Sequence, residues 1–318
     1  MNSANSSSLI HFTRKISTLK LILLNGIRYS YAFESFPKGV LFNLVNETRT
    51  LPSFVLNYDD NYGVAIPMVS FCDIPLTRAN EHSRIYGRYG IGLEKDYMLE
   101  FYKYFFNPII YSASESLDDA FRFFSSERIR TMERILEYIN NRMSEKEKSI
   151  FLNNIKSKKA SEAIRCLPKY LQDEYNQRVD EGYNMSILLA LYKPYKGINY
   201  LGREQVFYDE REWRAFFPHA DGAAYSWNFA CTREDFLSYR DDLNSQISKW
   251  EDGFIKIPQN CFDAISHIIV KNDYQRKSII DFILKSKKLF GYTIERDNPV
   301  KYKLISKISS FEKNSNDY

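Results

Sequence analysis

The spacing of apolar positions divides the chain into strand-like and helix-like stretches. Near the amino end, LIHFT at 9–13 has the composition of a short strand, and residues 14–25 carry apolar side chains at helical spacing. We therefore predict a strand that runs directly into a helix, with Thr13 as the helix cap and Gly26 as the residue that closes it. His11 then lies near the end of the first strand.

Several later stretches also have strand character. They cover residues 66–76, 107–114, 204–218, 253–258, 264–270 and 300–308. Three glycines between 87 and 92 predict a turn and a strand whose backbone approaches a neighbour closely. Asn272 or Asp273 is expected to cap a helix over 274–288. Residues 37–62 carry only weak, loop-like signals.

The pattern between residues 116 and 191 is helical, charged and almost free of glycine. One apolar face is predicted from Leu117, Phe121, Phe124, Ile129, Met132, Leu136 and Ile139. Ser144 and Glu147 have the spacing of a capping box for the next helix. Strands, then helices, then strands predict an α+β fold with a mixed or antiparallel β core and a helical insertion.

These patterns predict that the chain has four parts. Residues 1–115 are the first part of the α/β core, 116–191 the helical insertion, 192–310 the second part of the core, and 311–318 a tail. No repeat and no glycine-rich phosphate-binding pattern at a strand–helix junction is visible.

Composition and charge limit the classes of protein to which the chain can belong. Apolar residues make up 44% of the 318, enough for a sizeable core, and the formal net charge of +4 gives no strong reason to expect a nucleic-acid groove. The four cysteines are far apart with no CxxC pair, so we expect free thiols and no metal site. The apolar run LKLILLNGI is too short to span a membrane. A soluble, cytoplasmic protein is expected.

The stretch YDEREWRAFF places two glutamates, Glu210 and Glu212, inside an aromatic-rich run. An unpaired carboxylate is costly in an apolar place, so the acids either pair with Arg211 and Arg214 or face a cleft. In a strand, residues two apart share a face, which places Tyr208 and Arg214 on the side of both glutamates.

Each candidate residue also has a purely structural interpretation. His11 has the position of a hydrogen-bonded histidine at a strand end. Glu210 and Glu212 fit a solvated edge strand with an ion pair to an arginine. Tyr86 and Tyr89 fit ordinary core packing.

Several separated motifs, in this order, carry a resemblance to a known family. They are LIHFT with the following helix and Gly26, VSFCDIPL with His82, YGRYGIGL, NPIIY, and YDEREWR. On these motifs the sequence resembles the AbiGi family of bacterial abortive-infection proteins, over roughly residues 9–114 and 205–270. The resemblance implies a role in phage resistance.

More distantly, the sequence resembles ADP-ribosyltransferases, in which side chains of an early and a middle strand hold NAD. The resemblance implies that His11 and Thr13 hold the nicotinamide and ribose. It further implies that Ser70, Tyr86 or Tyr89 packs against the nicotinamide. NAD is then the expected cofactor, without a metal.

The same resemblance implies that a late-strand glutamate is catalytic. Glu212 would hold the ribose and stabilise the oxocarbenium-like transition state, with Glu210 completing a Glu-x-Glu pair. A carboxylate near the positive charge that develops on the ribose lowers the barrier in a dry site.

Three hypotheses follow. The first is an NAD-dependent ADP-ribosyltransferase-like effector that modifies a host or phage macromolecule. The second is a non-catalytic antitoxin or regulatory partner of a two-gene abortive-infection system, which binds the product of a neighbouring gene. The third is a nucleic-acid-binding module that uses the helical insertion. A basic cluster at 285–288 is better explained by the end of a solvated helix.

Overall fold

The structure is a computed structural model. It describes residues 7–35, 62–102, 106–112, 130–157, 160–177, 190–198, 202–217 and 229–312. Predictions for residues 37–61, for the first helical turns after residue 116 and for the tail from 313 onward lie outside these ranges. The apolar positions Leu117, Phe121, Phe124 and Ile129 are among them.

Strands and helices are interspersed along the described chain, which confirms the α+β class. The helices are α1 (Ile16–Asn25), α2 (Asn80–Tyr86), α3 (Lys95–Tyr102), α4 (130–142), α5 (Glu145–Lys156), α6 (Ala160–Ile164), α7 (169–177), α8 (Arg233–Ile247), α9 (Asp273–Lys285) and α10 (Val300–Ser306). No helix in the described ranges is long and apolar enough to cross a membrane.

The strands form one large sheet and several two-stranded pairs. They are β1 (Ser8–Thr13), β2 (Ile27–Arg28), β3 (Ser30–Ser35), β4 (Tyr62–Cys72), β5 (Tyr89–Glu94), β6 (Phe106–Pro108), β7 (Ile110–Ser112), β8 (Tyr192–Pro194), β9 (Lys196–Ile198), β10 (Glu204–Val206), β11 (Glu212–Phe216), β12 (Phe229–Thr232), β13 (Phe254–Ile255), β14 (Ile265–Val270), β15 (Lys288–Leu289), β16 (Tyr292–Thr293) and β17 (Ile308–Ser310).

The large sheet has the order β17-β14-β5-β1-β4-β11-β6, and β3 and β12 also pair with β4. Its pairs are antiparallel except for β14 with β17, so the sheet is mixed. Helices α1 and α9 contribute Leu19, Leu23, Ile279 and Ile283 to the main hydrophobic core. Burial of these side chains is the main favourable term that holds the helices against the sheet.

The predicted junction of β1 and α1 is present, but its cap differs from the prediction. Thr13 was expected to cap α1, yet it belongs to β1, and the N-cap position is Lys15 without a side-chain cap bond. Gly26 closes the helix at φ 97°, and its N–H donates to the carbonyl oxygen of Ile22. A left-handed φ of this kind favours glycine.

Strand β4 is bordered by two different strands along one side. Its residues 63–68 pair with β3, whereas β1 pairs with it through the single couple Ile10 and Cys72. The main chain around Ser70 therefore has a strand partner on the β11 side, where it lies opposite Arg214, but neither β1 nor β3 on the other side. This gap in the sheet opens the space described below.

The helical segment, α4 to α7, has a small core of its own. Its members are Ile135, Ile139, Met143, Phe151, Ala163, Ile164, Leu167 and Leu171. The predicted capping box is confirmed, with Ser144 and Glu147 bonded reciprocally. The predicted apolar face is confirmed only in part, since Ile139 is buried in this core whereas Met132 and Leu136 are 41% and 53% exposed. The strands that flank the segment, β7 and β8, pair side by side.

The prediction of a strand at 300–308 is wrong. Residues Val300–Ser306 form α10, because the Asn298 side chain accepts a hydrogen bond from the Val300 N–H, and Leu304, one helical turn further on, is buried. Buried Lys301 donates to two carbonyl oxygens, including that of Leu284 at the end of α9. Tertiary packing thus overrides an alternating pattern.

Other boundaries are shorter than predicted. The stretch 107–114 divides into β6 and β7, with 113–114 outside the described residues, and 253–258 contributes only the two residues of β13. The stretch 264–270 and the cap at Asn272 are confirmed, the latter by a bond from the Gln275 N–H. The glycines at 87–92 do form a turn and a strand, β5.

Candidate functional site

A cavity of about 1110 Å³ lies at the gap between β1, β3 and β4. Apolar side chains form much of its wall, among them Phe12, Phe71 and Phe207. Polar side chains from strands that are distant in sequence lie together on another part of the cavity wall. This volume is slightly above the range for small-molecule pockets, ~300–1000 Å³.

The charged part of the site is a cluster of five side chains, here called the charged cluster. Its members are Glu34, Lys193, Glu210, Glu212 and Arg214. All but Arg214 line the cavity, and Arg214 lies directly behind Glu212 with no exposed surface. Sequence reasoning did not identify Glu34 or Lys193 for this site.

Glu212 is held by donors on both carboxylate oxygens. Ser70 Oγ and Arg214 Nε donate to Oε1 at 2.7 and 2.9 Å. Lys193 Nζ donates to Oε2 at 2.9 Å, and Arg214 Nη2 reaches the same oxygen at 3.3 Å. Pairing of Glu212 with Arg214, one of the two alternatives from the sequence, is therefore present, and Lys193 adds a second cation.

Glu210 does not lie on the strand with Glu212, contrary to the predicted pattern. Residues Phe207–Glu210 form a 3-10 turn, and Arg211 follows in the left-handed region at φ 44°. Tyr208, expected on the face of the glutamates, is instead 50% exposed. The turn still directs Glu210 toward Lys193 Nζ, at 2.7 Å.

Three donors surround the Glu210 carboxylate. Tyr86 Oη and Gln205 Nε2 donate to Oε1 at 2.5 and 2.6 Å, and Lys193 bonds to the other oxygen. All of these partners donate, which is the arrangement that an ionised carboxylate requires.

Burial and charge act in opposite directions on these groups. Burial alone would raise the pKa of Glu212, but the charges of Arg214 and Lys193 outweigh it and hold that pKa below its usual range. For Glu210 burial prevails over Lys193, and its pKa is raised. Burial would lower the pKa of Lys193, yet the two carboxylates raise it well above its ordinary value. Glu212 and Lys193 are therefore both charged at neutral pH.

His11 occupies the place where β4 has no strand partner among the described residues. Its Nδ1 donates to the Ser70 carbonyl oxygen at 2.9 Å, so the histidine replaces a missing strand hydrogen bond. Because the acceptor is a carbonyl, Nδ1 carries the proton and Nε2 has a free lone pair. Burial lowers the pKa of His11, which keeps the ring neutral. The side chain of the same Ser70 bonds to Glu212, so both ends of the predicted site meet at one residue.

A second histidine, His82, lines the cavity beside Tyr86. The ring centres of His82 and Tyr86 are 4.4 Å apart, and the ring centre of Phe12 lies 5.3 Å from that of His82. Burial lowers the pKa of His82 to about 4, so this ring is also neutral at pH 7.

The structure brings five of the seven predicted site residues to the cavity and leaves two outside it. His11, Ser70, Tyr86, Glu210 and Glu212 line the cavity. Thr13 and Tyr89 instead face one another in the β1–β5 ladder, and Tyr89 belongs to the main hydrophobic core. In the described ranges, no group of three or more His, Cys, Asp or Glu side chains is arranged to hold a metal ion.

Glu34 and Lys193 carry weak signals in the sequence. Glu34 lies beside the poorly patterned stretch that begins at 37, and Lys193 follows the helical segment in a short strand-like run. A lysine near two carboxylates was identifiable only from the tertiary structure, because β8 and β11 are separated in sequence and belong to different sheets.

Comparison with known proteins gives one family. A family model described as "Putative abortive phage resistance protein AbiGi, antitoxin" matches residues 44–252. The match includes the helical segment and Glu212, whereas the LIHFT motif precedes it. No curated protein and no solved structure gives a significant match. The likeness to ADP-ribosyltransferases therefore stays a prediction from the sequence.

Proposed function

This chain belongs to the AbiGi family of abortive phage resistance proteins, and from that premise we propose that it is the antitoxin of a two-gene abortive-infection system. In this role it binds the cognate toxin, the product of a neighbouring gene, and restrains it until infection. The family match over residues 44–252 is the observation that carries the proposal.

The chemistry of the charged cluster favours a non-catalytic role. Glu212 would have to stabilise positive charge on a substrate, but two cations already neutralise its carboxylate. Arg214 bonds to both oxygens of this carboxylate and Lys193 to one of them, so their positive charges offset most of the negative charge that would stabilise a cation on the substrate.

The helical segment is the proposed contact with the toxin. Helices α4 and α5 expose large apolar side chains, Met132, Leu136, Ile150, Leu152 and Ile155. Exposed apolar surface of this kind is typical of protein interaction sites. Binding of the toxin would remove these aliphatic side chains from water.

Co-expression tests this proposal. The chain alone should be harmless to cells, should suppress the toxicity of the neighbouring gene product, and should co-purify with it. Leu136→Asp combined with Leu152→Asp should abolish co-purification, and Leu237→Asp, at an exposed position of α8, is the matched control. A toxin that is neither suppressed nor bound by the native chain would refute the antitoxin role.

A second candidate function is NAD-dependent ADP-ribosyl transfer. The observation that favours it is the meeting of His11 and Glu212 at Ser70, on the wall of one large cavity. The cavity is large enough for a dinucleotide, and its aromatic wall suits a heterocycle. In such a reaction the bond between the ribose and nicotinamide breaks, and a bond from the ribose to a nucleophile of a host or phage target forms. Nicotinamide and a proton are released.

Three measurements distinguish the two candidates. If the chain is a transferase, NAD should raise its melting temperature, nicotinamide should be released, and Glu212→Gln should abolish toxicity. Tyr208→Phe, at an exposed position, is the control that should change none of these. A chain without toxicity and without an NAD-dependent shift excludes this second function and leaves the antitoxin role intact.

A further inference from the structure

A group of cations lies where the carboxyl ends of α1 and α9 meet the hairpin of β15 and β16. Lys20 of α1 donates to Ser278 of α9 at 2.9 Å, which places the two helices side by side. Lys288, the first residue of the hairpin, donates to Asn25 at the end of α1 at 3.3 Å. The fold therefore adds α1 to the basic cluster at 285–288 that is visible in the sequence.

The neighbouring strand pair, β2 with β13, contributes two further cations. Arg28 of β2 pairs with Phe254 of β13. Just beyond β13, the side chain of Lys256 lies against Gly291 of the hairpin, 3.1 Å from the position that a Cβ atom would take there. Four of the six cations are exposed, and the other two are half-buried. We call this group the basic rim, and its members are Lys20, Arg28, Lys256, Lys285, Lys287 and Lys288.

The two helix ends do not depend on the exposed cations of the rim for capping. At the end of α1, the carbonyl oxygens of Leu23 and Leu24 accept from main-chain N–H groups of the hairpin. At the end of α9, Ser286 donates to the last turn through both its N–H and its Oγ. Buried Lys301 donates to the carbonyl oxygen of Leu284. The structural role that lysines commonly have at a helix end is therefore filled by other groups.

Most of the rim cations also lack an acidic partner. Lys256 has Glu251 at 3.6 Å, and that glutamate is 90% exposed. Within the described part of the chain, none of the other five forms an ion pair, and Lys20 and Lys288 bond to neutral oxygens. Asp281, one turn before the end of α9, offsets part of the charge. Cations that are held together repel one another, and binding of an anionic partner relieves that repulsion.

The surroundings of the rim favour a nucleic acid over other polyanions. Tyr292, 36% exposed, is the one large apolar side chain that the hairpin exposes, and exposed Leu21 of α1 belongs to the cavity wall. An acidic protein partner normally requires an apolar centre in its contact surface, and a membrane-bound helix inserts an apolar face. Contacts to phosphate groups require only cations and other hydrogen-bond donors, which the rim provides.

We propose that the basic rim binds the phosphate backbone of a nucleic acid without reading its sequence, and that the exposed lysines at 285–288 make the principal contacts. The proposal goes beyond the antitoxin role. It depends on neither candidate function, because the rim lies outside the helical segment and outside the charged cluster.

Fluorescence anisotropy of a labelled DNA duplex tests the proposal on the full chain. If four rim cations contact phosphates of a duplex of about 20 base pairs, the logarithm of the association constant should fall with the logarithm of the salt concentration at a slope of about −3.6. The affinity should then drop by roughly 100-fold between about 50 and about 200 mM KCl. A Kd weaker than about 100 µM at the lower salt concentration would overturn the proposal.

Two variants with the same change in net charge assign the binding to the rim. The rim variant carries Lys285→Gln, Lys287→Gln and Lys288→Gln, and the control carries Lys146→Gln, Lys156→Gln and Lys169→Gln in the helical segment. All six lysines are exposed, so both proteins should fold. The rim variant should bind at least about tenfold more weakly, with a slope that is less steep by up to about 2.7, and the control should bind like the native chain. Equal losses in the two variants would show an effect of overall charge and would overturn the assignment.

Two other polyanions distinguish a nucleic acid from the remaining partners. Poly-glutamate presents carboxylates on a peptide chain, and vesicles that contain phosphatidylserine present an anionic membrane. At equal concentration of negative charge, the native chain should bind the duplex more tightly than either of them. Tighter binding of poly-glutamate or of the vesicles, lost in the rim variant, would contradict the choice of a nucleic acid.

Discussion

Lys193 lies 2.9 Å from Glu212, and this buried ion pair connects the strand that follows the helical segment to the central strand β11. The main chain strengthens the same connection, because Arg214 donates to the carbonyl oxygen of Ala190 at 2.7 Å. Residues 190–194 are thereby attached to the cavity wall by hydrogen bonds to charged groups.

Lys193→Met should destabilise the protein by about 3–5 kcal/mol, because it leaves the buried carboxylate of Glu210 without its cation and removes one of the two cations of Glu212. Chemical denaturation measures the effect. Lys196→Met, on the neighbouring exposed strand, is the control and should cost less than about 1 kcal/mol. The double variant Lys193→Met/Glu210→Gln should be less destabilised than the sum of its parts. Full additivity would show that Lys193 and Glu210 do not interact.

His82 should make the fold sensitive to acid. Its pKa is lowered to about 4 by burial, against an ordinary value near 6.5, so the unfolded chain binds the proton more readily. Stability should therefore fall as the pH decreases from about 6.5 to about 4, by up to about 3 kcal/mol from this group.

His82→Gln, which does not titrate, should lose correspondingly less stability over the same pH range. Urea unfolding at a series of pH values compares the two proteins directly, and Tyr239→Phe, at an exposed position of α8, is the control that keeps the histidine and its surroundings. An equal pH dependence in native and His82→Gln protein would contradict the role of His82.

Tyr29→Phe should leave the stability unchanged or raise it by about 1 kcal/mol. The Tyr29 hydroxyl is buried and has no hydrogen-bond partner in the described residues, so its removal relieves a desolvation cost. Tyr102→Phe is the matched comparison, because the Tyr102 hydroxyl donates to the Lys256 carbonyl oxygen at 3.0 Å. That variant should lose about 1 kcal/mol in thermal unfolding. A larger loss for Tyr29→Phe than for Tyr102→Phe would reveal a partner for Tyr29.

Gly26→Ala should destabilise the fold by more than about 1 kcal/mol. Gly26 has φ 97°, and an added Cβ atom would collide with the main-chain carbonyl of Ile255 in β13. Gly202→Ala is the control, since Gly202 also has a positive φ but open space around its Cβ position. Calorimetric melting of both variants separates the backbone strain, which they share, from the collision, which affects Gly26 alone. Equal losses of stability in the two variants would mean that β13 moves to accommodate the added methyl group.

Local sequence patterns were sufficient to predict the elements whose contacts lie within one segment of the chain. The strand Ser8–Thr13, the closing glycine Gly26 and the cap at Asn272 follow from neighbouring residues alone, because each depends on contacts within a few positions. The α10 helix was missed for the opposite reason. Its sequence alternates like a strand, and packing of Leu304 and Lys301 decided the outcome.

The sequence by itself determined the α+β class, the order of most elements and the family, and it gave the pairing of Glu212 with Arg214 as one of two alternatives. The tertiary structure decided that Lys193 and Glu34 join that pair, that Thr13 and Tyr89 stay outside the cavity, and that His11 reaches Ser70. The physical reason is that two-residue periodicity acts within one strand. The strands that border a gap in a sheet are chosen by packing across the whole chain.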